Sequence, residues 1–308
     1  MQITGSITEN NMSYWYVLCS MAKPILKWPG GKRDLVDEIL GHFPSDYDTY
    51  HEPFIGAGAL FFHIEPKNGF INDSNTRLIN YYKQVRDNPN ELIDRLRDFE
   101  DPESDANPSN RFSSTNRKGR DIESYYYQVR ELFNRRPNNE SFDNIMEAAQ
   151  LQYLNRTCFN GLYRENNSGE FNSPIGSYDN PDWVLENRIT EASKALQGTN
   201  ILNEDFEYIL ETVDDNDIVY LDPPYKPTSK TASFTEYSEG GFGEEEQMRL
   251  LETVKQLDDR GVRFILSNSA IMYDDYNDLF EVEYVMGDRS ISCKADGRGE
   301  VKEILVHN

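Results

Sequence analysis

Short runs with apolar residues at their centres alternate with longer stripes of apolar residues along most of the chain. The short runs predict buried β-strands at 69–72, 199–203, 218–221 and 262–267. In the longer stripes, such as 34–43, apolar residues recur at three- and four-residue intervals, which is the spacing of one helix face. This alternation of strand and helix predicts an α/β fold built around an open sheet.

The alternation is interrupted between residues 87 and 182. Helical patterns lie at 87–99, 122–133 and 143–155. The segment 100–119 is rich in Asp, Asn, Pro and Ser, a composition typical of a loop. The alternation resumes with a predicted helix at 183–196, and the chain ends with two strands, at 280–286 and 301–306, that we expect to be antiparallel. The interruption therefore predicts an insert in the sheet domain.

The stretch 217–225, DIVYLDPPY, contains the strongest candidate for a functional site. Its apolar residues Ile218–Leu221 predict a buried strand. The two prolines after Asp222 end the strand, because proline cannot donate to a ladder and disfavours helix in the preceding residue. Asp222 and Tyr225 are thus held at the carboxyl end of a strand, where open α/β sheets bind ligands. A rigid turn without further function is the competing interpretation.

These residues suit chemistry on the exocyclic amino group of a purine. That nitrogen is a poor nucleophile because its lone pair is delocalised into the ring. The carboxylate of Asp222 and the carbonyl of Pro223 can accept its two N–H bonds, which leaves the lone pair free to attack. The ring of Tyr225 can stack on the base and hold it.

Two glycine turns precede this stretch. In the first, 28–32 (WPGGK), an aromatic ring, two glycines and a lysine could cradle a zwitterionic or carboxylate ligand, although a surface turn is an equal alternative. It is not a P-loop, because Arg33 stands where that motif requires a hydroxyl. The second turn, within 49–62, has Phe61 where a dinucleotide fingerprint requires a small residue, which argues against a nicotinamide or flavin site.

Two further polar features have both a functional and a structural interpretation. Asp73 follows the strand at 69–72, where an acid can accept hydrogen bonds from ribose hydroxyls, but it could instead cap the helix predicted at 74–86. The segment 156–172 alternates Arg, Asn and aromatic residues around glycines, a hairpin-like composition. Arg and Asn hydrogen-bond guanine and adenine edges, although an ordinary polar hairpin has the same composition.

The net charge conflicts with binding of nucleic acid. Acidic residues number 54 against 31 basic ones, a formal charge of −23, whereas phosphate-binding surfaces are normally basic. Either the partner is not nucleic acid, or the protein works in strong salt. At 1 M salt the Debye length falls to about 3 Å, so repulsion between exposed charges is screened. The acid is spread through nearly every segment and lysine is scarce compared with arginine. These features favour a halophile's protein, or that of a virus that infects one.

Other sequence features set limits on location and chemistry. No apolar run approaches the length of a membrane span, and the N-terminus lacks the pattern of a signal peptide. Cys19, Cys158 and Cys293 form no CxxC pair, which fits a reducing, cytoplasmic environment. The histidines are His42, His51, His63 and His307. Their spacing matches no metal-ligand motif, so we expect no metal.

Taken in order, the motifs of the chain resemble the DNA adenine methyltransferase (Dam) family of S-adenosylmethionine-dependent enzymes from about residue 24 to the C-terminus. The motifs are LKWPGGK, EPFIGAGALFF, IND, YYYQVRELFN, YLNRTCFNGLYRENNSGEFNSPIGSY, LDPPYKPTSKTASFTEY, LSNS and RSIS. Their order looks like the alpha arrangement of amino-methyltransferases. The resemblance implies a Rossmann-like, doubly wound, mostly parallel sheet with an inserted, mainly helical target-recognition domain.

The resemblance also implies the domain limits and the reaction. The implied parts are an N-terminal extension at 1–20, a catalytic domain at 21–86 and 183–308, and the recognition domain at 87–182. The reaction would transfer methyl from S-adenosyl-L-methionine to N6 of an adenine flipped out of double-stranded DNA. The pair Leu162-x-Arg164 looks similar to that of members that read GATC. We expect a monomer in solution that needs neither membrane nor metal.

Site residues follow from the resemblance by matching positions. The catalytic set would be Asp222, Pro223, Pro224 and Tyr225. The cofactor-binding set would be Trp28, Lys32, Phe54, Gly56, Asp73, Asp205, Phe206 and Asp222. The DNA-binding set would be Lys27, Phe159, Asn160, Leu162, Arg164, Asn166, Asn172 and Tyr178.

Alternatives remain open at the level of sequence. Family members are usually basic or near neutral, so the acidic charge conflicts with DNA binding in ordinary salt. The same fold with a related tetrapeptide methylates cytosine N4, RNA adenine or protein glutamine, and a DNA-binding relative without catalysis is a further alternative. The aspartate at 222 favours DNA adenine. A cytosine-C5 enzyme would need a cysteine beside a proline, which none of the three cysteines has.

Overall fold

The structure is a computed structural model. It describes residues 22–101, 114–115, 121–122, 124–135, 143–166, 168–225, 242–288 and 300–308. The predicted N-terminal extension, most of the predicted loop at 100–119, the RSIS motif and the residues that follow the DPPY tetrapeptide lie outside these ranges. Within the described ranges, no helix combines the length and the apolar character that crossing a membrane requires.

The described strands form a seven-stranded sheet and a separate two-stranded ribbon. In chain order they are β1 (Tyr50–Glu52), β2 (Gly69–Asn72), β3 (Ser114–Thr115), β4 (Asp121–Ile122), β5 (Thr199–Leu202), β6 (Ile218–Leu221), β7 (Arg263–Ser269), β8 (Glu281–Asp288) and β9 (Glu300–His307). The large sheet has the order β5-β2-β1-β6-β7-β9-β8. Its first five strands are parallel, and β9 is antiparallel to both of its neighbours. The predicted, mostly parallel α/β sheet is confirmed.

Helices cover both faces of the large sheet. In chain order they are α1 (Val36–Leu40), α2 (Phe61–Ile64), α3 (Thr76–Asp87), α4 (Pro89–Arg97), α5 (Tyr125–Asn134), α6 (Asn144–Thr157), α7 (Glu186–Ala195), α8 (Ile209–Thr212), α9 (Glu244–Asp259) and α10 (Tyr273–Tyr276). The helix predicted over 34–43 is shorter than expected, because a 3₁₀ turn at Arg33–Leu35 precedes α1. The short helices α8 and α10 were not predicted, since four residues carry no detectable periodicity.

The strand that carries the candidate site is buried on both sides. Ile218 and Tyr220 pack in one apolar cluster, whereas Val219 and Leu221 pack in another. Alternate side chains of a strand point to opposite faces of the sheet, so β6 separates two cores. Such a strand requires the continuous apolar run that the sequence contains.

The order of the strands creates a crevice at the centre of the sheet. From β1 the chain moves outward through β2 to β5, and it then returns to place β6 on the other side of β1. Tyr50 of β1 therefore pairs with Gly69 on one side and Ile218 on the other. The carboxyl ends of β1 and β6 flank this topological switch point, which is where open α/β sheets bind ligands.

The segment between β2 and β5 is mainly helical, as predicted. Its longest helix, α6, packs against α3 and α4. It begins at the cap residue Asp143, whose carboxylate accepts a hydrogen bond from the Met146 N–H. Arg77 of α3 lies 3.6 Å from the buried Glu147 of α6, and this ion pair links the insert to the sheet domain. The exact domain limits stay a prediction.

Candidate active site

Asp222 and Lys32, which are far apart in sequence, form a buried ion pair at the carboxyl end of β6. Nζ of Lys32 lies 2.9 Å from Oδ1 of Asp222, and the two side chains are 6% and 19% exposed. Nζ also donates to the carbonyl of Gly30, at 2.8 Å. Gly30 has a φ of +80°, a conformation that glycine adopts without strain, and this turn folds the lysine back toward the sheet. The glycine turn and the tetrapeptide therefore belong to one site.

Tyr225 completes this cluster through a residue that sequence reasoning missed. Its hydroxyl donates to Oε2 of Glu303 at 2.8 Å, and Nζ of Lys32 lies 4.6 Å from its ring centroid. Glu303 is 5% exposed and belongs to β9. In the predicted strand Glu303 stands between Val301 and Leu305 at alternate positions, and an acid on that apolar face was the feature that could have identified it. We call Lys32, Asp222, Tyr225 and Glu303 the catalytic cluster.

Burial changes the protonation of this cluster. It raises the pKa of Asp222 to about 6, against the opposing effect of the Lys32 ammonium. The carboxylate of Glu303 raises the pKa of Asp222 further. Burial also raises the pKa of Tyr225 well above its ordinary value, so its hydroxyl stays protonated. At neutral pH Asp222 is therefore mostly ionised, which is the form that accepts hydrogen bonds.

A relay of amides fixes the two prolines of the tetrapeptide. The Pro224 carbonyl accepts a hydrogen bond from Nε2 of Gln247, at 3.1 Å. Gln247 in turn accepts one from Nδ2 of Asn268, at 3.0 Å, and both amide residues are buried. Asn268 lies in the LSNS motif on β7. The motif thus positions the tetrapeptide from the neighbouring strand.

The second glycine turn is tied to the end of β2. Gly56 has a φ of +46°, and a Cβ built on it would lie 3.1 Å from Cδ1 of Trp28, so this position favours glycine. Its N–H donates to Oδ2 of Asp73 at 3.2 Å, while Oδ1 accepts from the Asn75 N–H at 2.9 Å. Burial raises the pKa of Asp73 to about 6, although the two N–H groups lower it.

The alternative role of Asp73 as a helix cap is wrong. The cap of α3 is Asn75, whose side chain accepts hydrogen bonds from the N–H groups of Arg77 and Leu78. Asp73 lies before the cap and holds the glycine turn instead. The amide of Asn75 serves as cap because the two carboxylate oxygens of Asp73 are already bonded to backbone.

Aromatic rings surround both turns. Trp28 stacks on Tyr163, with ring centroids 4.8 Å apart and planes inclined by 22°. Phe54 and Phe206 lie with centroids 5.4 Å apart, and Phe242 lies 5.5 Å and 5.7 Å from them. The second group of rings flanks the carboxyl ends of β1 and β5, and it offers flat apolar surfaces to a planar ligand.

Asp205 is held beside the phenylalanine rings by an arginine that sequence reasoning missed. Its carboxylate caps the 3₁₀ turn at Phe206 by accepting from the Glu207 N–H at 3.0 Å. It also accepts a hydrogen bond from Arg249 at 2.7 Å. The guanidinium of Arg249 lies 4.9 Å from the centroid of Phe206.

A second buried acid, Glu52, ends β1 beneath the site. It is 2% exposed, and burial raises its pKa to about 8. The Tyr50 hydroxyl donates to its Oε2 at 2.7 Å, and the charge of Asp222 raises its pKa further. Glu52 is therefore mostly protonated at neutral pH, so it adds little negative charge to that of Asp222 in this crevice.

Part of the predicted DNA-binding set lies on one surface beside the first glycine turn. Nζ of Lys27 lies 3.3 Å from the hydroxyl of Tyr178 and 4.8 Å from its ring centroid. Tyr178 is 38% exposed, and Phe159 is 45% exposed. Asn160, next in sequence, has a φ of +57°, a left-handed conformation that asparagine tolerates. The side chains of Phe159 and Tyr178 are therefore exposed to a partner.

The remaining predicted DNA-binding residues lie in the segment 156–172, which we call the recognition hairpin. A bridge between Glu165 and Phe171 confirms the predicted hairpin. Nε of Arg164 donates to the side chain of Asn172, and Oδ1 of Asn166 accepts from the N–H groups that close the turn. Leu162 is only 5% exposed, so its side chain is not available to DNA in this conformation. It packs inward because it follows the tight turn at Gly161.

Comparison with known proteins identifies the family. Residues 28–291 match the family described as D12 class N6 adenine-specific DNA methyltransferase. The chain belongs to this family. The match spans both glycine turns, the insert and the tetrapeptide, so it includes the residues that meet in the catalytic cluster apart from Glu303.

Named relatives agree with this assignment. The chain is 38% identical over 293 residues to Type II methyltransferase M1.LlaDCHI of Lactococcus lactis subsp. cremoris, covering 93% of this chain and 95% of the relative. It is 38% identical over 299 residues to Type II methyltransferase M.MjaIII of Methanocaldococcus jannaschii, covering 93% and 99%. It is 32% identical over 285 residues to the DNA adenine methylase of Escherichia coli K12, covering 92% and 94%. The predicted resemblance is confirmed, and the protein is an adenine-specific DNA methyltransferase.

Proposed function

We propose that this enzyme transfers a methyl group from S-adenosyl-L-methionine to N6 of a flipped adenine in GATC. The observation that carries the proposal is the buried contact between Lys32, Asp222 and Tyr225 at the switch point of the sheet. This contact places an ionised hydrogen-bond acceptor, Asp222, and an aromatic ring, that of Tyr225, beside the Gly56 turn. An amino-group methyltransferase needs these groups in one place.

The residues around the crevice fit this cofactor. Gly56 leaves open the space that a Cβ would fill beside Trp28. We assign Lys32, Asp73 and Asp222 to the polar part of the cofactor, because a sulfonium and an amino acid group require charged partners of both signs. We assign Phe54, Asp205 and Phe206 to its adenine, whose ring needs a flat apolar surface and whose amino group needs an acceptor.

In the proposed reaction, S-adenosyl-L-methionine supplies a methyl group bound to a sulfonium, which is a strong electrophile. The ionised carboxylate of Asp222 accepts one N–H of the target amino group. The Pro223 carbonyl accepts the other, since Gln247 already occupies the Pro224 carbonyl. The Tyr225 ring stacks on the base, and Lys32 keeps Asp222 ionised. The lone pair of the amino nitrogen would attack the methyl carbon as the carbon–sulfur bond breaks, which leaves S-adenosyl-L-homocysteine, and the surplus proton would pass from the methylated nitrogen to solvent.

We assign the choice of site to the recognition hairpin and the surface at Lys27. Flipping an adenine costs a few kcal/mol, which contacts to DNA must supply. Arg164 is suited to guanine, because its guanidinium can donate two hydrogen bonds to the O6 and N7 edge. A relative of similar length is named DNA adenine methylase, and GATC is the site we propose for this chain. We further propose that the enzyme acts as a monomer.

We also propose that the enzyme is adapted to strong salt. A formal charge of −23 would repel DNA in dilute buffer, whereas multimolar salt screens exposed charges beyond roughly 3 Å. Binding to DNA normally weakens as salt rises, because counterions are released from the phosphates. We therefore expect the activity of this enzyme to rise between 0.1 M and 2 M potassium chloride, which is opposite to the usual effect of salt on DNA binding.

The test is methyl transfer from labelled S-adenosyl-L-methionine to two duplexes, one containing GATC and one with the same bases scrambled. Both duplexes are assayed from low to multimolar salt, beside the Asp222→Ala variant. We expect label on adenine N6 in the GATC duplex only, with the highest rate in strong salt and none in the variant. Base analysis of the digested product separates N6-methyladenine from N4-methylcytosine.

The outcomes separate the parts of the proposal. Label in both duplexes would support S-adenosyl-L-methionine as the methyl donor and refute GATC as the recognition site. Label on cytosine would refute the adenine assignment, and a rate that falls with salt would refute the adaptation. Absence of label at every salt concentration, with cofactor binding retained by equilibrium dialysis, would refute DNA as the acceptor.

A further inference from the structure

A cluster of two histidines and one glutamate lies away from the catalytic cluster, at the edge of the large sheet. His42 follows α1, Glu283 belongs to β8, and His307 ends β9. In the β8–β9 ladder His307 pairs with Glu281, so Glu283, two residues along, projects from the same face as Glu281. Three separate segments thus converge, and no spacing along the sequence could have predicted the cluster.

The contacting atoms of the cluster are all potential metal ligands. Nε2 of His42 lies 3.7 Å from one carboxylate oxygen of Glu283, and Nε2 of His307 lies 3.9 Å from the other. One potential ligand atom from each residue lies within 4.8 Å of the other two. The imidazole rings stack, with centroids 4.1 Å apart and planes inclined by 28°. Both rings therefore present an edge nitrogen to the same carboxylate.

The distances between the histidine nitrogens and the Glu283 oxygens are longer than hydrogen bonds. Nitrogen–oxygen hydrogen bonds measure about 2.7 to 3.2 Å, so neither histidine is hydrogen-bonded to Glu283. Nε2 of His307 is buried and has no hydrogen-bond partner among the described residues. A buried polar atom without a partner is costly, and such atoms usually have an explanation. In a tetrahedral zinc site, ligand atoms lie roughly 3.3 Å apart, given metal–ligand bonds near 2.0 Å.

We propose that His42, Glu283 and His307 bind one divalent transition-metal ion of the Zn²⁺ class. Imidazole and carboxylate are ligands that Zn²⁺ accepts, and three protein ligands leave its fourth position for water. The cluster must contract from separations of up to 4.8 Å, through rotation of the exposed Glu283 side chain and of the two imidazole rings. Glu281 adds a further negative charge beside His307 and favours a cation. The expectation from sequence spacing that no metal binds would then be wrong for this cluster.

The bound ion would link β9 to the turn after α1. His307 and Glu303 belong to the same strand, β9, and Glu303 holds Tyr225. A metal bond from His307 to His42 would tie β9 to the turn after α1, which in turn follows the Lys32 segment. The role we assign is therefore structural, and it is independent of the proposed methyl donor and DNA site.

The test measures Zn²⁺ binding to the full chain, by competition with a chromogenic chelator after the protein has been freed of metal. We compare the wild-type protein with His42→Ala, His307→Ala and Glu283→Gln. His63→Ala is the matched control, because it removes an exposed imidazole outside the cluster. We expect one Zn²⁺ per chain, affinity at least about tenfold weaker in each cluster variant, and no change in the control.

A second measurement guards against misfolded variants. Addition of Zn²⁺ should raise the thermal unfolding midpoint of the wild-type protein and of His63→Ala, but not that of Glu283→Gln. Glu283 is 57% exposed, so its substitution leaves the packing of the fold intact. Co²⁺ in place of Zn²⁺ should give the intense visible bands of a four-coordinate site. Equal affinity in Glu283→Gln and wild type, or an equal loss in His63→Ala, would overturn the proposal.

Discussion

The catalytic cluster and the recognition hairpin are both rich in polar side chains, but they are held together in different ways. In the cluster, partners such as Lys32 and Asp222 come from distant segments and are buried between strands and turns. In the hairpin, Arg164 bonds to Asn172 and Asn166 closes its own turn, so partners are neighbours in sequence and partly exposed. The cluster therefore depends on the whole sheet, whereas these polar contacts of the hairpin are made within the hairpin.

This difference predicts different responses to substitution. Removing one member of a buried ion pair leaves the other charge without a partner, which is costly for stability and for chemistry. Exchanging partners in an exposed hairpin costs little, because water replaces a lost contact. Substitutions in the cluster should therefore change the rate on every DNA, and those in the hairpin should change the choice among DNA sequences.

The largest effect is expected for Asp222→Asn. The amide keeps the volume of the side chain but loses the charge that accepts the amino protons and pairs with Lys32. We expect the single-turnover rate of methyl transfer to fall by about 10³-fold or more on any duplex. Asp215→Asn, in the exposed turn before β6, is the matched control and should leave the rate unchanged. A variant at 222 that keeps a tenth of the wild-type rate would contradict the assignment.

Arg164→Ala tests the hairpin side of the comparison. The ratio of rates between the GATC duplex and one with the guanine replaced should fall by about 10- to 100-fold, as expected when a bidentate base contact is lost. The exposed Arg135→Ala, at the end of α5, serves as control. If the rates on both duplexes fall equally, Arg164 contacts phosphate and does not read the base.

Glu303→Gln separates charge from hydrogen bonding in the cluster. In the proposed reaction the ionised form of Asp222 is the acceptor, so kcat/KM of the wild-type enzyme should rise with pH through about 6. The negative charge of Glu303 raises the pKa of Asp222, so its removal should move this rise to lower pH. Glutamine still offers an oxygen to the Tyr225 hydroxyl, and kcat at pH 8 should change by less than about threefold.

Two comparisons complete the test of Glu303. Glu303→Ala also removes the acceptor for Tyr225, so its kcat should fall at pH 8 as well. Glu211→Gln removes an exposed acid on α8, outside the catalytic cluster, and should leave the pH profile in place. A rise at unchanged or higher pH in Glu303→Gln would show that Glu303 does not act on Asp222 through its charge.

Features of the molecule that depend on local sequence rules could be predicted from the sequence. Strand ends are fixed by local rules, so the run before Asp222 and its two prolines predicted both the strand and the position of the carboxylate. Gly56 was predicted because glycine marks close approach of backbone, and in the structure a Cβ at this position would lie 3.1 Å from Cδ1 of Trp28. The sheet class followed from periodicity alone.

What could not be predicted depends on contacts between distant segments. Glu303 enters the site only because β9 pairs with β7, the neighbour of β6, and Arg249 enters because α9 packs against β7 and α8. No local pattern encodes that packing. Leu162 is a converse case, since its motif position suggested contact with DNA but the turn at Gly161 buries it. The cluster of His42, Glu283 and His307 could not be predicted either, because its members come from three separate segments of the chain.

The smallest effect on activity is expected for Glu52→Gln, which tests the stability of the buried region. Burial raises the pKa of Glu52 from near 4.5 to about 8, so the folded protein binds a proton that the unfolded chain releases between these values. The contribution of Glu52 to the stability of the wild type is therefore fullest below about pH 4.5 and declines as pH rises toward 8, by up to about 1.4 kcal/mol per pH unit. Glutamine mimics the protonated acid and cannot ionise.

Urea unfolding in strong salt at pH 5 and pH 8 measures this difference. Glu52→Gln should become more stable relative to wild type at pH 8 than at pH 5, with methyl transfer at pH 7 nearly unchanged. Glu211→Gln, an exposed change of the same kind, should show no such trend. If the two variants respond to pH alike, Glu52 is ionised in the folded protein at neutral pH. The crevice would then carry the negative charge of Glu52 in addition to those of Asp222 and Glu303, and the assignment of the acceptor to Asp222 alone would have to be revised.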